Sequence, residues 1–160
     1  MRTFFIALKS LFFGSCFIAL WAWLALRVRA FDRAAAYRLP SWSDFPGALL
    51  LLAGAALATS CVVNFVTRGH GTPAPFDAPV KFVAVGPYRW VRNPMYIGGW
   101  LMILGFGLLL RSPAVVGFSA VFWLSSHLFV LFYEEPTLRG KFGAEYEEYC
   151  RRIHRWLPAR

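Results

Sequence analysis

Two stretches of the chain gather residue types that can do chemistry. The first, Gly86-Pro87-Tyr88-Arg89-Trp90-Val91-Arg92-Asn93-Pro94-Met95-Tyr96-Ile97-Gly98, is polar and aromatic and leads straight into an apolar run. The second, Glu134-Glu135-Pro136-Thr137-Leu138, closes a later apolar run. Carboxylates at that position could accept hydrogen bonds from an ammonium or take up a proton, and Arg92 could pair with a carboxylate. Tyr88, Trp90 and Tyr96 offer ring faces to a cation or a flat heterocycle. The same residues also have plain structural uses: the glutamates could end a membrane helix at the headgroups, Arg92 could set topology, and Pro94 could open a helix. Three further polar groups qualify as candidates. His127 is ionisable inside an apolar run, seven residues before Glu134 and so on one helical face with it, His70 lies in a glycine-flanked loop, and Arg155 stands in a basic C-terminal segment.

The elements that must position these groups belong in a bilayer. Of the 160 residues 58% are hydrophobic and 18% aromatic, and the mean hydropathy is +0.51, well beyond a soluble domain. Apolar runs predict membrane helices over about 4–26, 45–66, 95–110 and 113–133, each near the roughly 20 residues that cross hydrocarbon. Gly54, Ala55, Ala58 and Thr59 give the second helix a small-residue seam. Arg111-Ser112-Pro113 makes a tight hairpin of the third and fourth helices, which returns the Glu134-Glu135 pair to the membrane face where Pro94 begins. The Gly- and Pro-rich 68–93 segment reads as a folded loop. Beyond Tyr133, Leu138, Phe142, Tyr146, Tyr149 and Ile153 recur at steps of three or four, the apolar face of one amphipathic helix lying on the membrane surface or over the site.

The net charge of +9 follows the spans instead of forming a basic patch interleaved with stacking aromatics, so nucleic acid is not an expected partner. With four spans, twelve of the 17 Lys and Arg fall on the side holding both termini, which predicts cytoplasmic termini in an inner membrane. Cys16, Cys61 and Cys150 are odd in number and far apart, giving neither a disulfide framework nor a metal site.

Arg92-Asn93-Pro94-Met95-Tyr96-Ile97-Gly98 resembles the Arg-His-Pro-x-Tyr-x-Gly motif of the isoprenylcysteine carboxyl methyltransferases and the Asn-Pro-Met-Tyr motif of the phosphatidylethanolamine N-methyltransferases, two branches of one group of integral membrane methyltransferases. Glu134-Glu135, Leu138, Phe142-Gly143, Tyr146, Tyr149 and Pro158 are similar to the group's C-terminal pattern, so the resemblance runs over about residues 64–160. It implies S-adenosylmethionine as cofactor and a lipophilic or amphipathic acceptor. Asn93 stands where the isoprenylcysteine branch has histidine, so that histidine's role does not carry over. The cofactor presents an ammonium, a carboxylate, a sulfonium and an adenine. Cofactor contacts are therefore expected among His70, Tyr88, Asn93, Pro94, Tyr96, His127, Glu134, Glu135 and Arg155, with Arg92 and Glu135 as candidate catalytic groups. Either glutamate could take the ammonium, leaving the other as base.

The expected architecture is all-α: a polytopic bundle of four spans plus an amphipathic C-terminal helix, in one domain over 1–160. Membrane lipids and a lipophilic small molecule are the expected partners. A nicotinamide-dependent reductase of the sterol-reductase type and a non-catalytic membrane scaffold remain as alternatives at this point.

Overall fold

A computed structural model describes residues 2–32, 37–69, 71–72 and 82–158. Those residues form helices and turns with no strand among them. In chain order the α-helices are α1 (Arg2–Val28), α2 (Asp44–Asn64), α3 (Pro94–Leu109), α4 (Pro113–Phe129), α5 (Glu135–Phe142) and α6 (Ala144–Arg152). Three helical runs, Phe4–Phe31, Ser41–Gly69 and Pro113–Phe142, are long and apolar enough to cross a membrane, whereas Pro94–Leu109 is a shorter apolar helix.

Proline starts both arms of the hairpin, where its missing N–H costs nothing: Pro94 opens α3 and Pro113 opens α4. The Ser112 hydroxyl accepts from the Val115 N–H and caps α4. At the same end the Asp44 carboxylate pairs with Arg111, and an Asp32 oxygen accepts from the Ala114 N–H at 2.9 Å. These contacts tie both ends of the α1–α2 connection to the hairpin turn.

The second and third helices pack antiparallel and almost backbone to backbone. A Cβ placed on Gly98 would stand 2.9 Å from the Gly54 carbonyl oxygen, and one on Gly105 would stand 2.6 Å from that of Gly47. The anticipated seam on α2 is thus present, with Gly54 and Ala58 against Gly98, and Gly47 extends it by two turns. By contrast, α1 packs more loosely, setting Trp21 edge-on to Phe122 of α4 at 4.7 Å.

Two expectations need correction. The fourth apolar helix does not stop near 133: it passes through a π-helical turn, Val130–Glu134, directly into α5. The C-terminal segment is not one amphipathic helix either. Gly143, at φ 52°, breaks it into α5 and α6, because a residue with no Cβ can take that left-handed backbone freely. The apolar periodicity spans both helices since their packed faces meet the same neighbours: Phe82 lies 5.4 Å from the Phe142 ring and 5.8 Å from that of Tyr146.

Candidate functional site

The hairpin brings the two polar stretches together at one end of the bundle. Tyr96, in the first turn of α3, donates its hydroxyl to Glu134 Oε2 at 2.6 Å. Arg92, two residues before that helix, sets Nη1 3.1 Å from Glu135 Oε1 and donates from the same nitrogen to Cys150 Sγ. Neighbouring residues on a helix project about 100° apart, and here the two glutamates face different surroundings.

Glu135 is buried at 2% exposure and ringed by cations. Arg155 donates to it through Nε at 2.8 Å and Nη2 at 3.0 Å, a two-pronged geometry suited to a carboxylate. Arg139, one helical turn on, lies 3.7 Å from Oε2. With both oxygens engaged by guanidiniums, Glu135 is built as an anchor, and the expected role of proton acceptor does not fit that geometry. The pair also occupies Arg155, whose guanidinium the Glu135 hydrogen bond holds even more firmly protonated than usual. A cofactor carboxylate would have to displace Glu135 to reach it.

The 86–94 turn supplies the second wall. Tyr88 is buried, its ring 5.4 Å from Phe65 and its carbonyl accepting from the Tyr149 hydroxyl at 2.7 Å. Desolvation drives the Tyr88 phenol well above its ordinary pKa, and the Tyr146 and Tyr149 phenols rise for the same first reason. All three are neutral hydrogen-bonding groups at physiological pH. Asn93 is buried and donates through Nδ2 to the Arg155 carbonyl at 3.2 Å, and Pro94 is buried beside it. One polar atom in this cluster is left over: Arg92 Nε is buried without a hydrogen-bond partner. A buried guanidinium N–H without an acceptor is costly and calls for one.

His127 departs from expectation. The π turn between it and Glu134 admits an extra residue per turn, so the seven-residue spacing no longer aligns the two side chains. His127 Nδ1 instead accepts from Trp156 Nε1 at 3.0 Å. His70 lies outside the described residues. Sequence reasoning did not single out Trp156 or Trp123, whose rings lie 4.5 Å apart; no spacing rule links the C-terminal segment to the middle of α4.

Next to the polar cluster lies an apolar groove of about 350 Å³, open to the outside of the bundle. Leu57 of α2, Trp90 and Pro94, Ile97 of α3, and Trp156 and Pro158 contribute to its lining.

Comparison with known proteins gives consistent relatives. Residues 42–145 match the family model described as phospholipid methyltransferase. The probable protein-S-isoprenylcysteine O-methyltransferase of Oryza sativa subsp. indica is 31% identical over 122 residues, covering 72% of this chain and 61% of its own length. The protein-S-isoprenylcysteine O-methyltransferase of Saccharomyces cerevisiae is 32% identical over 123 residues, covering 70% of this chain and 47% of its own length. The chain therefore spans about half to three-fifths of these relatives. Among solved structures, the eukaryotic intramembrane Ras methyltransferase ICMT superposes with a TM-score of 0.63 at 19% identity, over 90% of this chain and 53% of the other. That likeness establishes a shared polytopic helical fold.

Proposed function

The chain belongs to the phospholipid methyltransferase family, and on that premise we propose that it transfers a methyl group from S-adenosylmethionine to a lipophilic or amphipathic acceptor at the cytoplasmic face of a membrane. The observation that carries this reading is the meeting of Tyr96 with Glu134 and of Arg92 with Glu135, remote stretches that the hairpin joins into one charged cluster. Relatives that methylate isoprenylcysteine, by their names, favour methyl transfer over nicotinamide reduction.

The residues present fit the cofactor. Glu134, oriented by the Tyr96 hydroxyl, suits the ammonium, and the unpartnered Arg92 N–H suits the carboxylate. When bound, S-adenosylmethionine supplies an electrophilic methyl on a sulfonium. Glu135 holds Arg92 in position, while Asn93 and Arg155 fasten the C-terminal segment beside it. Catalysis then rests on aligning the acceptor with that methyl and excluding water. The apolar groove beside Pro94 suits the hydrophobic part of the acceptor. The charge asymmetry of twelve to five favours a cytoplasmic site.

Sealed membrane vesicles of both orientations, given labelled S-adenosylmethionine and a total lipid extract, test both parts. Labelled lipid-soluble product is expected from inverted vesicles and not from right-side-out ones. Product in neither orientation rejects methyl transfer, and product only in the right-side-out vesicles rejects the cytoplasmic assignment.

A further inference from the structure

The segment after α6 is strapped to the bundle by contacts with four separate residues. The backbone N–H of Arg92 donates to the His154 carbonyl at 2.9 Å, and Asn93 Nδ2 donates to the Arg155 carbonyl at 3.2 Å. Arg155 pairs with Glu135, and Trp156 Nε1 donates to His127 Nδ1 at 3.0 Å. His127 lies seven residues before Glu134 on the far side of the π turn, so the strap carries an indole past the charged cluster onto α4. There the Trp156 ring lies 4.5 Å from Trp123, which is itself 5.3 Å from Trp100 of α3. Trp156, with Pro158, also lines the apolar groove.

An indole has one polar atom, a donor, and it needs an acceptor wherever water is scarce. Nδ1 of His127 is that acceptor, which requires the imidazole proton to sit on Nε2. His127 is not among the residues lining the groove, yet through this bond it fixes the plane of a ring that is. The groove is more open than enclosed, and Trp156 with Pro158 forms part of its apolar wall, so the setting of this indole decides how far that wall reaches.

We propose that Trp156 is a specificity-determining residue that sets how bulky a hydrophobic group the acceptor may carry, and that His127 is a positioning residue that acts through it. This rests on the reading of the groove as the acceptor's. An apolar wall discriminates by what it leaves room for, and a single methylene changes selectivity by about tenfold or more.

The test uses full-length protein in vesicles, labelled S-adenosylmethionine and a total lipid extract as the acceptor pool, with labelled products separated by reversed-phase retention. Trp156→Ala should shift the ratio of late- to early-eluting products by about tenfold. His127→Leu and Trp156→Phe, which remove the acceptor and the donor of the same bond, should broaden the distribution alike. His127→Asn, which restores an acceptor near Nδ1, should return it towards the original pattern. Should Trp156→Ala fail to fold, the other three variants still decide the matter. An unchanged product distribution in His127→Leu and Trp156→Phe, with methyl transfer retained, overturns the inference and leaves the methyltransferase reading standing. Absence of labelled product from the unsubstituted protein removes that reading, and this one with it. Weakened S-adenosylhomocysteine binding in Trp156→Ala with an unshifted distribution assigns the groove to the cofactor and overturns the inference by another route.

Discussion

Glu134 and Glu135 have the same side chain and opposite surroundings. Glu135 is saturated by Arg92, Arg139 and Arg155, whereas Glu134 accepts from the neutral hydroxyl of Tyr96. Glutamine at each position should therefore fail in a different way. Glu135→Gln leaves the largely buried Arg92 and the partly exposed Arg155 and Arg139 without their counter-ion, and because two of the three still meet solvent the loss should fall below the about 3 to 5 kcal/mol of a fully buried pair. Its main effect should be a lowered unfolding temperature in detergent. Glu134→Gln should leave that temperature nearly unchanged and weaken S-adenosylhomocysteine binding by about 1 to 3 kcal/mol, the worth of a buried charge-assisted bond. Calorimetric titration alongside thermal unfolding separates the two; equal loss of stability in both variants would refute the division of roles. Sequence reasoning could place both glutamates at the end of a helix and note that adjacent residues point apart. It could not choose between them, because the choice depends on Arg155, which reaches Glu135 only through the strap.

At the scale of helices, the α2–α3 seam holds the first turn of α3, and with it Tyr96, in place. Gly105 has Gly47 and Leu51 backbone within 2.6 Å of where a Cβ would lie, while Gly117 on α4 has nothing within 4 Å. Alanine at either position gains about 1 kcal/mol of helix propensity. At Gly105 that gain is outweighed by overpacking against backbone that cannot yield, typically about 1 to 3 kcal/mol. Gly105→Ala should melt at a lower temperature and Gly117→Ala at the same or a higher one, with indistinguishable melts counting against the seam. Half of this seam was legible: small residues at four-residue separations marked α2 as a contact helix, and apolar length with proline starts marked α3 and the start of α4 to within a residue. The π turn at Val130–Glu134 and the break at Gly143 were not legible. Apolar periodicity continues through both, since a wide turn or one left-handed glycine redirects a helix without changing which residues are apolar. For that reason the expected alignment of His127 with Glu134 failed.

For the whole molecule, the lengths of the helices locate the site relative to the bilayer. Three helical runs of 28 to 30 residues exceed what hydrocarbon requires, but α3 has 16, about 24 Å as an ideal helix against a core of roughly 30 Å. A short helix packed backbone to backbone against a long one cannot reach both headgroup layers without thinning the bilayer around it. With the Arg111 end, which is tied to Asp44 and the hairpin turn, set at one headgroup layer, the shortfall would fall at the Pro94 end, where the charged cluster and the apolar groove lie. The groove's exposed neighbours agree with that depth: Trp90 is 65% exposed and Leu157 is 73% exposed, apolar groups suited to lipid at the interface. The acceptor should accordingly enter sideways from the bilayer while the water-soluble cofactor arrives from the aqueous side. Acceptors sharing one nucleophilic headgroup but differing in alkyl length, compared in reconstituted vesicles at controlled surface concentration, measure this directly. Efficiency should rise with partitioning even when the concentration in the membrane is held equal, because only a chain embedded in the bilayer meets the groove at its own depth. A fully water-soluble acceptor that is methylated as efficiently as its membrane-bound analogue would show that the groove is filled from water, and lateral entry would have to be abandoned.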